Sequence, residues 1–264
     1  MRINEKVIFN TDLDNTIIFS YKQDIGEDKK NVELYEGREI SFITGKTERL
    51  LKEVNEKILF VPTTTRTVEQ YNRINLGLGI PEYALTCNGG VLLVNGVRDE
   101  AWYKESLDLV ADCEEELMKA IEIFEKDVNR TLDVRFIEDL FVFTKSNEPE
   151  KIIKVMNENL NMELVDVFNN GVKVYVVPKK LNKGSAVKRF KKMLGAKKCI
   201  AAGDSEFDIS MLNEADIAIA PSKINVICDK IGCKLEDTVV IAEENKVFSE
   251  EVLEFVLGNC DIYN

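Results

Sequence analysis

Short apolar runs alternate along the chain with longer segments whose apolar residues recur at helical spacing. The runs, each of which predicts a buried strand, lie at residues 6–11, 58–62, 83–87 and 198–202. The helical patterns lie at residues 47–58, 67–77, 185–194, 206–215 and 249–258. Strands that alternate with helices are typical of an α/β fold with a mostly parallel sheet. In such a sheet the functional residues gather beyond the carboxyl ends of the strands.

The pattern changes in the middle of the chain. Residues 106–129 predict one long helix, and residues 148–160 predict another. Each is followed by a stretch that alternates between apolar and polar residues, as a β-hairpin does. These stretches are LDVRFIEDLFVFTK and MELVDVFNNGVKVYVVP, the second with a turn predicted at Asn169-Asn170-Gly171. The order αββαββ predicts an α+β domain inserted into the α/β chain.

This change of pattern sets the predicted domain bounds. We expect a core domain formed by residues 1–104 and 177–264, and an inserted domain formed by residues 105–176. Within the core, the stretch KQDIGEDKKNVELYEGREISFITG at residues 22–45 is long for a connection that follows a strand. It predicts a hairpin of its own.

Composition excludes several classes of function. The net charge of −12 disfavours binding to nucleic acid or to an anionic membrane. The chain has no histidine, which excludes catalysis by Ser–His or Cys–His pairs and zinc sites that contain histidine. No apolar run approaches the length of about 18 residues that spans a bilayer, and MRINEKVIFN lacks the features of a signal peptide. The six cysteines include no C-x-x-C pair, so we expect reduced thiols in a cytoplasmic protein.

Two acidic residues follow the first predicted strand. Asp12 and Asp14 stand one residue apart in TDLDNT, directly after an apolar run. In an extended turn the Asp12 carboxylate and the Asp14 carbonyl can face one cation, and oxygen ligands of this kind suit Mg²⁺. A solvated turn explains the same pattern equally well, so this stretch alone does not decide between the two.

Polar residues also follow the other predicted strands. Asp204 and Asp208 in GDSEFD come after the last apolar run; Asp208 also forms a capping box with Ser205, whereas Asp204 lies before that cap. PTTTRT, at residues 62–67, offers hydroxyls and backbone N–H groups that suit either a phosphate or a plain N-cap. Lys183 begins a helix, where the dipole disfavours a cation, so it is either a surface lysine or the partner of an anion.

Together these four motifs resemble those of the haloacid dehalogenase superfamily, and in particular its Cof-type or IIB subfamily of small-molecule phosphatases. The motifs DLDNT, TTTR, NKGSA and GDSEFD follow in the family's order, and the predicted αββαββ insertion lies where this subfamily carries its C2-type cap. The resemblance covers nearly the whole chain. It implies a Rossmann-like core with a mostly parallel sheet, and a cap that excludes water and selects the substrate.

The resemblance implies chemical roles for the residues at matching positions. Asp12 is the expected nucleophile, which forms an aspartyl-phosphate, and Asp14 is the expected acid and base for the leaving oxygen and the hydrolytic water. Thr64 is expected to hydrogen-bond the phosphoryl group, with its neighbours Thr63 and Thr65 as alternatives. An acid two residues after the nucleophile marks the family's phosphatases and phosphomutases.

A further group of matching positions implies charge stabilisation. Lys183 is expected to neutralise the nucleophile and the phosphoryl oxygens. Asp204 is expected to bind Mg²⁺ together with the Asp12 carboxylate and the Asp14 carbonyl, and Asp208 to support the ion directly or through water. A carboxylate that attacks a phosphate dianion needs such cations to offset the repulsion.

Arg66, Asn88 and Gly89 match substrate-contacting positions of the subfamily, and Thr65 beside Arg66 is a further candidate for substrate binding. The matching positions also have plainer explanations, since Arg66 suits the surface of a helix and Asn88-Gly89 suits a simple turn. Thr65 and Phe207 stand where the subfamily commonly has glycine and asparagine, so we expect a pocket of altered shape.

These observations predict a cytoplasmic, Mg²⁺-dependent phosphatase that acts on a small phosphomonoester such as a sugar phosphate, without a nucleic-acid or membrane partner. A phosphomutase of the phosphomannomutase type is the alternative among enzymes. A binding protein on the same scaffold, without catalysis, is the alternative outside enzymes. The sequence identifies neither the substrate nor the oligomeric state.

Overall fold

The computed structural model describes residues 4–243 and 246–260. Its strands are β1 (Asn4–Thr11), β2 (Phe19–Ser20), β3 (Lys29–Tyr35), β4 (Arg38–Thr44), β5 (Ile58–Pro62), β6 (Tyr83–Thr86), β7 (Val91–Val94), β8 (Val97–Arg98), β9 (Arg135–Ile137), β10 (Phe141–Lys145), β11 (Val165–Asn170), β12 (Lys173–Pro178), β13 (Lys198–Ala202), β14 (Ile217–Ala220) and β15 (Val239–Ile241). Its helices are α1 (Gly45–Lys57), α2 (Val68–Tyr71), α3 (Glu100–Val110), α4 (Glu114–Lys126), α5 (Pro149–Asn159), α6 (Lys183–Leu194), α7 (Ile209–Glu214), α8 (Lys223–Ile231) and α9 (Phe248–Cys260). Within these ranges every helix is too short or too polar to cross a membrane.

The chain forms two compact units. Met1–Asp99 and Lys183–Asn264 make up the first, here called the core unit, and Glu100–Asn182 makes up the second, here called the insert. These divisions fall several residues from the predicted bounds at 105 and 177. The reason is that α3 begins at Glu100 and that β12, which the predicted bound would have cut, continues to Pro178.

A parallel sheet in the order β15-β14-β13-β1-β5 forms the centre of the core unit. Most of its strands are buried on both faces: Ile8 and Phe9 in β1, and Phe60 in β5, are at most 1% exposed, whereas the edge strand β15 is partly exposed. Continuous apolar runs of this kind are what a parallel sheet covered on both faces requires. The structure thus confirms the predicted α/β fold with a mostly parallel sheet and an added α+β unit.

One predicted strand of the core unit lies outside the central sheet, and one predicted helix is shorter than expected. The apolar run at 83–87 does form a strand, β6, but β6 pairs with β7 in a separate antiparallel sheet and not in the central one. The helix predicted at 67–77 is a single turn, α2, which ends at Tyr71; Gly77, with φ of +74°, excludes a helix that continues to the predicted end.

The stretch at 22–45 folds as predicted, with a hairpin of its own. Strands β3 and β4 pair antiparallel, and β2 adds to β4 on the other side. The hairpin turns at Glu36 and Gly37, whose φ values of +50° and +75° suit the right-handed twist of paired strands. The pairing is irregular around Glu33, where the register shifts on both sides of that residue.

The insert contains an antiparallel sheet in the order β11-β12-β10-β9, and α4 and α5 pack against it. Its core is apolar, with Phe124, Val142, Met156 and Val174 all fully buried. The order αββαββ is confirmed from α4 onwards. The second turn lies at Gly171-Val172, one to two residues later than predicted, because β11 extends to Asn170.

The helix predicted at 106–129 is in fact two helices. α3 ends at Val110, where ψ is 0°, and a 3₁₀ turn at Ala111–Cys113 leads into α4. Buried residues nevertheless continue at intervals of three or four through the turn, from Ser106 and Val110 to Cys113 and Leu117. Because this spacing is that of one unbroken helix, the hydrophobic pattern carries no sign of the interruption.

Candidate active site

The end of β1 places the two aspartates of TDLDNT in a tight loop. The Asp12 backbone N–H donates to the Ala202 carbonyl at 2.9 Å, which joins the ends of β1 and β13. The Ile17 and Ile18 N–H groups both donate to the Leu13 carbonyl, at 2.9 and 2.8 Å. This closed loop turns Asp12 inward and leaves the Asp14 side chain 47% exposed.

Lys183 lies between two of the predicted carboxylates. Its Nζ donates to Asp12 Oδ1 at 2.5 Å and to Asp208 Oδ1 at 2.6 Å, and the residue is fully buried. Burial opposes the lysine charge, but the two carboxylates outweigh it and hold the Lys183 pKa above its usual range. Of the two explanations that the sequence left open, Lys183 is the partner of anions and not a surface lysine.

Lys183 reaches this position because its helix packs closely against α7. A Cβ atom on Gly184 would lie 2.3 Å from the backbone oxygen of Ser210, and the Gly184 N–H donates to Ser210 Oγ at 3.0 Å. Only glycine permits this approach.

Asp208 organises the loop after β13. Its Oδ2 accepts hydrogen bonds from the Asp204 N–H (3.0 Å), the Ser205 N–H (2.9 Å) and the Ser205 hydroxyl (2.8 Å). The predicted capping box is therefore present, and Asp208 uses its other oxygen to hold Lys183. A Cβ on Gly203 would lie 2.3 Å from the Asp208 Cβ, so this loop also requires glycine.

Carboxylate oxygens of Asp12, Asp204 and Asp208 all lie within 4.8 Å of one another. Burial raises the pKa of Asp12 well above its usual range, with Lys183 opposing and the neighbouring aspartates adding to the shift. Burial also raises the pKa of Asp204, and the charge of Asp208 adds to it. Three carboxylates share this cluster with the single buried cation of Lys183, so its buried groups carry an excess of negative charge when all three are ionised.

This donor set fits Mg²⁺. It offers only oxygens, and its excess negative charge calls for a further cation. Because the oxygens of Asp208 are already engaged by four donors, Asp12 and Asp204 are the better placed ligands and Asp208 the better placed support. The exposed Lys223, at the start of α8, also contacts Asp204 Oδ2.

Arg66 binds the second aspartate of the motif. Its Nε and Nη2 donate to the two oxygens of Asp14, each at 2.7 Å, in the bidentate geometry that guanidinium and carboxylate prefer. Its Nη1 donates to Glu33 Oε1, also at 2.7 Å. Burial opposes its charge, but the two carboxylates raise the Arg66 pKa above its usual range. In this structure the guanidinium is thus engaged by the protein, and its contact with substrate stays a prediction.

The three threonines after β5 differ in their surroundings. The Thr63 hydroxyl accepts from Asn10 Nδ2 at 2.9 Å and donates to the Val61 carbonyl at 3.2 Å, so it already serves the protein interior. Thr64 is also buried, and its hydroxyl oxygen accepts the Arg66 N–H at 3.2 Å. Thr65 is partly exposed. Thr64 and Thr65 therefore remain the candidates for a phosphoryl contact.

Backbone hydrogen bonds bring the Asn88-Gly89 loop to the same edge of the core unit. The Asn88 N–H donates to the Thr64 carbonyl at 3.0 Å, and the Cys87 N–H donates to the Arg66 carbonyl at 2.8 Å. Cys87, Asn88 and Gly89 have φ values of +52°, +60° and +87°, an unusual run that orients this loop. Apart from Lys183, which is the first residue of α6, the residues predicted for the site follow the carboxyl ends of β1, β5, β6 and β13 in the core unit.

Sequence reasoning missed three residues of this site. Thr16 Oγ1 donates to Asp204 Oδ1 at 3.4 Å, Lys223 contacts the other oxygen of Asp204, and Glu33 binds Arg66. Thr16 stands in the quoted motif TDLDNT, so its position was a usable signal. No local sequence signal marks Lys223 or Glu33. Lys223 is the first residue of α8, a helix that was not predicted, and Glu33 faces inward because its strand pairing is irregular.

Comparisons with known proteins found one family model and several similar structures. A family model described as haloacid dehalogenase-like hydrolase matches residues 97–223. No curated protein sequence was found to match the chain. Among solved structures, the sucrose-phosphatase of Synechocystis sp. PCC6803, in complex with sucrose and phosphate, is 16% identical with a TM-score of 0.64, over 97% of this chain and 98% of that one.

Two further solved structures are similar over almost their full length. A haloacid dehalogenase-like hydrolase from B. subtilis is 17% identical with a TM-score of 0.57, over 96% of this chain and 99% of that one. A trehalose-6-phosphate phosphatase related protein is 15% identical with a TM-score of 0.53, over 95% of this chain and 98% of that one. At these identities the similarity establishes a shared fold.

Proposed function

We propose that this chain, which matches a haloacid dehalogenase-like hydrolase model over residues 97–223, is a Mg²⁺-dependent phosphatase of that superfamily and hydrolyses a small phosphomonoester through an aspartyl-phosphate. The observation that carries the proposal is the buried cluster in which Lys183 bridges Asp12 and Asp208 beside Asp204. A nucleophilic carboxylate held against a lysine, with further acids to bind a cation, is the equipment that phosphoryl transfer needs.

The first step forms the intermediate on Asp12. A carboxylate oxygen of Asp12 attacks phosphorus, the bond from phosphorus to the leaving oxygen breaks, and Asp14 gives that oxygen a proton. Lys183 stays between Asp12 and Asp208 and offsets the charge of the phosphoryl oxygens. Thr64 or Thr65 orients the phosphoryl group.

The second step releases phosphate. Asp14, now without its proton, takes one from a water that attacks phosphorus, and the bond between phosphorus and Asp12 breaks. The metal would be held by the carboxylates of Asp12 and Asp204 and the Asp14 carbonyl, with Asp208 in support. When bound, the ion neutralises the phosphoryl oxygens so that one anion can approach another.

Sugar phosphates are the substrate class that we propose. One similar structure is named a sucrose-phosphatase and another a trehalose-6-phosphate phosphatase related protein, and both are similar over nearly the whole chain. At 16% and 15% identity they support a substrate class and not a particular sugar. A cytoplasmic location stays a prediction from the reduced thiols.

The experiment is phosphate release from p-nitrophenyl phosphate and from a panel of sugar phosphates, with Mg²⁺ and with EDTA. We expect turnover with Mg²⁺, loss of turnover in EDTA, and a fall of at least about 1,000-fold in Asp12→Asn. Asp133→Asn, which changes a 99% exposed side chain of the insert, is the matched control and is expected to be fully active. Turnover that survives in Asp12→Asn would contradict the mechanism, and isomerisation of a hexose phosphate without phosphate release would replace the phosphatase by a mutase.

A further inference from the structure

Glu33 is a buried carboxylate outside the motifs of the proposed reaction. It lies in β3, and its side chain is fully buried. The neighbouring Val32 is buried as well, although adjacent residues of a regular strand point to opposite faces. The register shifts on both sides of Glu33 explain this, because such an irregularity re-aims a side chain.

Three donors hold the Glu33 carboxylate. Oε1 accepts from Arg66 Nη1 at 2.7 Å and from Arg73 Nε at 3.2 Å, and Oε2 accepts from the Ser41 hydroxyl at 2.6 Å. Burial opposes the charge, but the hydrogen bonds from Arg66 and Ser41 hold the pKa of Glu33 below its usual range. Because burial of an unpaired charge costs much free energy, the role of the Glu33 carboxylate is to be sought in the groups that pair with it.

That partner is Arg66. With Nη1 fixed by Glu33, the plane of the guanidinium is set, and its Nε and Nη2 can meet both oxygens of Asp14 at 2.7 Å. The Asp14 side chain is half exposed and stands on a loop, so without this contact it has several rotamers to choose from. Proton transfer requires a carboxylate whose position and orientation are fixed.

We propose that Glu33 is a positioning residue that orients Asp14, through Arg66, for proton transfer to the leaving oxygen. The inference rests on the proposed role of Asp14 as acid and base, and adds to it a residue of the β3–β4 hairpin. Glu33 touches neither substrate nor metal in this scheme. Its effect reaches the reaction only through the Arg66–Asp14 pair.

Substrates with different leaving groups distinguish a positioning role of Glu33 from a merely structural one. An aliphatic alkoxide must be protonated as it leaves, whereas p-nitrophenolate is stable enough to leave without a proton. The quantity kcat/KM covers the reaction up to departure of the leaving group, so it excludes the later hydrolysis, in which Asp14 also acts. A misplaced Asp14 therefore lowers kcat/KM for an alkyl phosphate and spares p-nitrophenyl phosphate.

The experiment measures kcat/KM for an aliphatic phosphomonoester and for p-nitrophenyl phosphate in Glu33→Gln. We expect a fall of about 10-fold or more for the aliphatic ester and less than about 3-fold for p-nitrophenyl phosphate, since general acid catalysis is worth about 100-fold or more in full. Asp14→Asn is expected to give the same selectivity with a larger amplitude. Glu48→Gln is the matched control: Glu48 binds Lys30 and Lys52 on the surface of the core unit, and both substrates are expected to be unaffected.

Two results would overturn the inference: an equal fall for both substrates in Glu33→Gln, or no fall for either. If Glu33→Gln does not fold, Ser41→Ala removes one of the three donors to Glu33 and is expected to show the same selectivity at lower amplitude. A wild-type chain that releases phosphate from no ester contradicts the proposed function itself. An active chain whose Asp14→Asn variant lacks the selectivity contradicts the acid role and, with it, the role of Glu33.

Discussion

The interiors of the two units are built on different principles. Among the described residues, the core unit buries Asp12, Glu33, Lys183, Asp204 and Asp208, whereas the insert buries Glu116 as its one charged residue. The insert has instead an apolar core between a sheet and two helices, and its ion pairs lie mostly on exposed surface.

This difference indicates in which unit buried charges lower the free energy of unfolding. Buried charges cost desolvation energy that their mutual attraction seldom exceeds, so a cluster such as that around Lys183 is better explained by chemistry than by folding. The insert carries this cost only at Glu116, and the rest of its interior is explained mainly by apolar burial. Substitutions in the core unit should therefore separate activity from stability, and substitutions in the insert should change stability first.

The largest effect is expected for Lys183→Met. The variant leaves Asp12 and Asp208 buried without their shared cation, so we expect phosphatase activity to fall at least about 1,000-fold and the free energy of unfolding to drop by about 3–5 kcal/mol. Steady-state kinetics with p-nitrophenyl phosphate and urea unfolding in EDTA measure the two effects.

Asp12→Asn is the counterpart of Lys183→Met. It is expected to abolish the same activity, but it removes a buried negative charge and not a buried positive one. It removes one of three crowded carboxylates and leaves Lys183 its contact with Asp208. We expect its melting temperature in EDTA to be at least that of the wild-type chain. Equal destabilisation by Lys183→Met and Asp12→Asn would show that the cluster stabilises the fold, and would contradict the view that its buried charges lower stability.

The next effect concerns backbone packing beneath the site. In Gly184→Ala the new methyl group would lie 2.3 Å from the Ser210 oxygen, so α6 must move away from α7 and take Lys183 with it. We expect a loss of about 3 kcal/mol of stability together with a fall in kcat. Gly258→Ala is the matched control, since its Cβ meets nothing within 4 Å in α9 and should stabilise the helix by about 0.5–1 kcal/mol. Stability equal to the wild type in Gly184→Ala would disprove the close packing.

Much of this arrangement could be predicted from the sequence because local patterns determine it. The apolar runs of β1, β5 and β13, and the polar residues that follow them, were enough to predict a site at one sheet edge. β14 and β15 were not predicted. They are only four and three residues long, and so few positions seldom show a recognisable periodicity.

Contacts between residues distant in sequence were beyond that reasoning. The bidentate pair between Arg66 and Asp14 joins two motifs 52 residues apart, and Arg66 matched a substrate-binding position equally well. Glu33 faces inward only because of an irregular pairing between β3 and β4, and such an irregularity depends on tertiary packing and not on local alternation.

In the insert, Met156→Ala tests the apolar core. The side chain is fully buried between α5 and its neighbours, and its removal leaves a cavity, so we expect a loss of about 2–4 kcal/mol. The rate on p-nitrophenyl phosphate at 25 °C should change less than about 3-fold while the protein stays folded. The fluorescence of Trp102, the one tryptophan of the chain, reports unfolding of the insert. A large loss of activity without loss of stability would instead place chemistry in the insert.

The smallest effect is expected at Glu116, the exception to the apolar interior of the insert. Its Oε2 accepts the Asn161 N–H at 2.7 Å, just beyond α5, and its Oε1 accepts from Lys119 Nζ at 3.0 Å. The Asn161 N–H and Lys119 hold the pKa of Glu116 below its usual range, so folding favours the ionised form. Glu116→Gln should therefore cost about 1 kcal/mol at pH 7.

The pH dependence of that cost identifies its origin. A carboxyl group whose pKa is lowered by folding contributes stability that is present above its unfolded pKa and is lost as pH falls through the lower, folded value. The difference between wild type and Glu116→Gln should then be constant from neutral pH down to about pH 5 and vanish at lower pH, as measured by urea unfolding followed through Trp102. Glu122→Gln, on the same helix but with a 70% exposed side chain paired to Lys126, should show almost no difference at either pH. If the difference in the free energy of unfolding between wild type and Glu116→Gln persisted unchanged in acid, the Glu116 side chain would stabilise the insert by packing and not by its charge. Glu116 would then stabilise the insert in the same way as its apolar core residues.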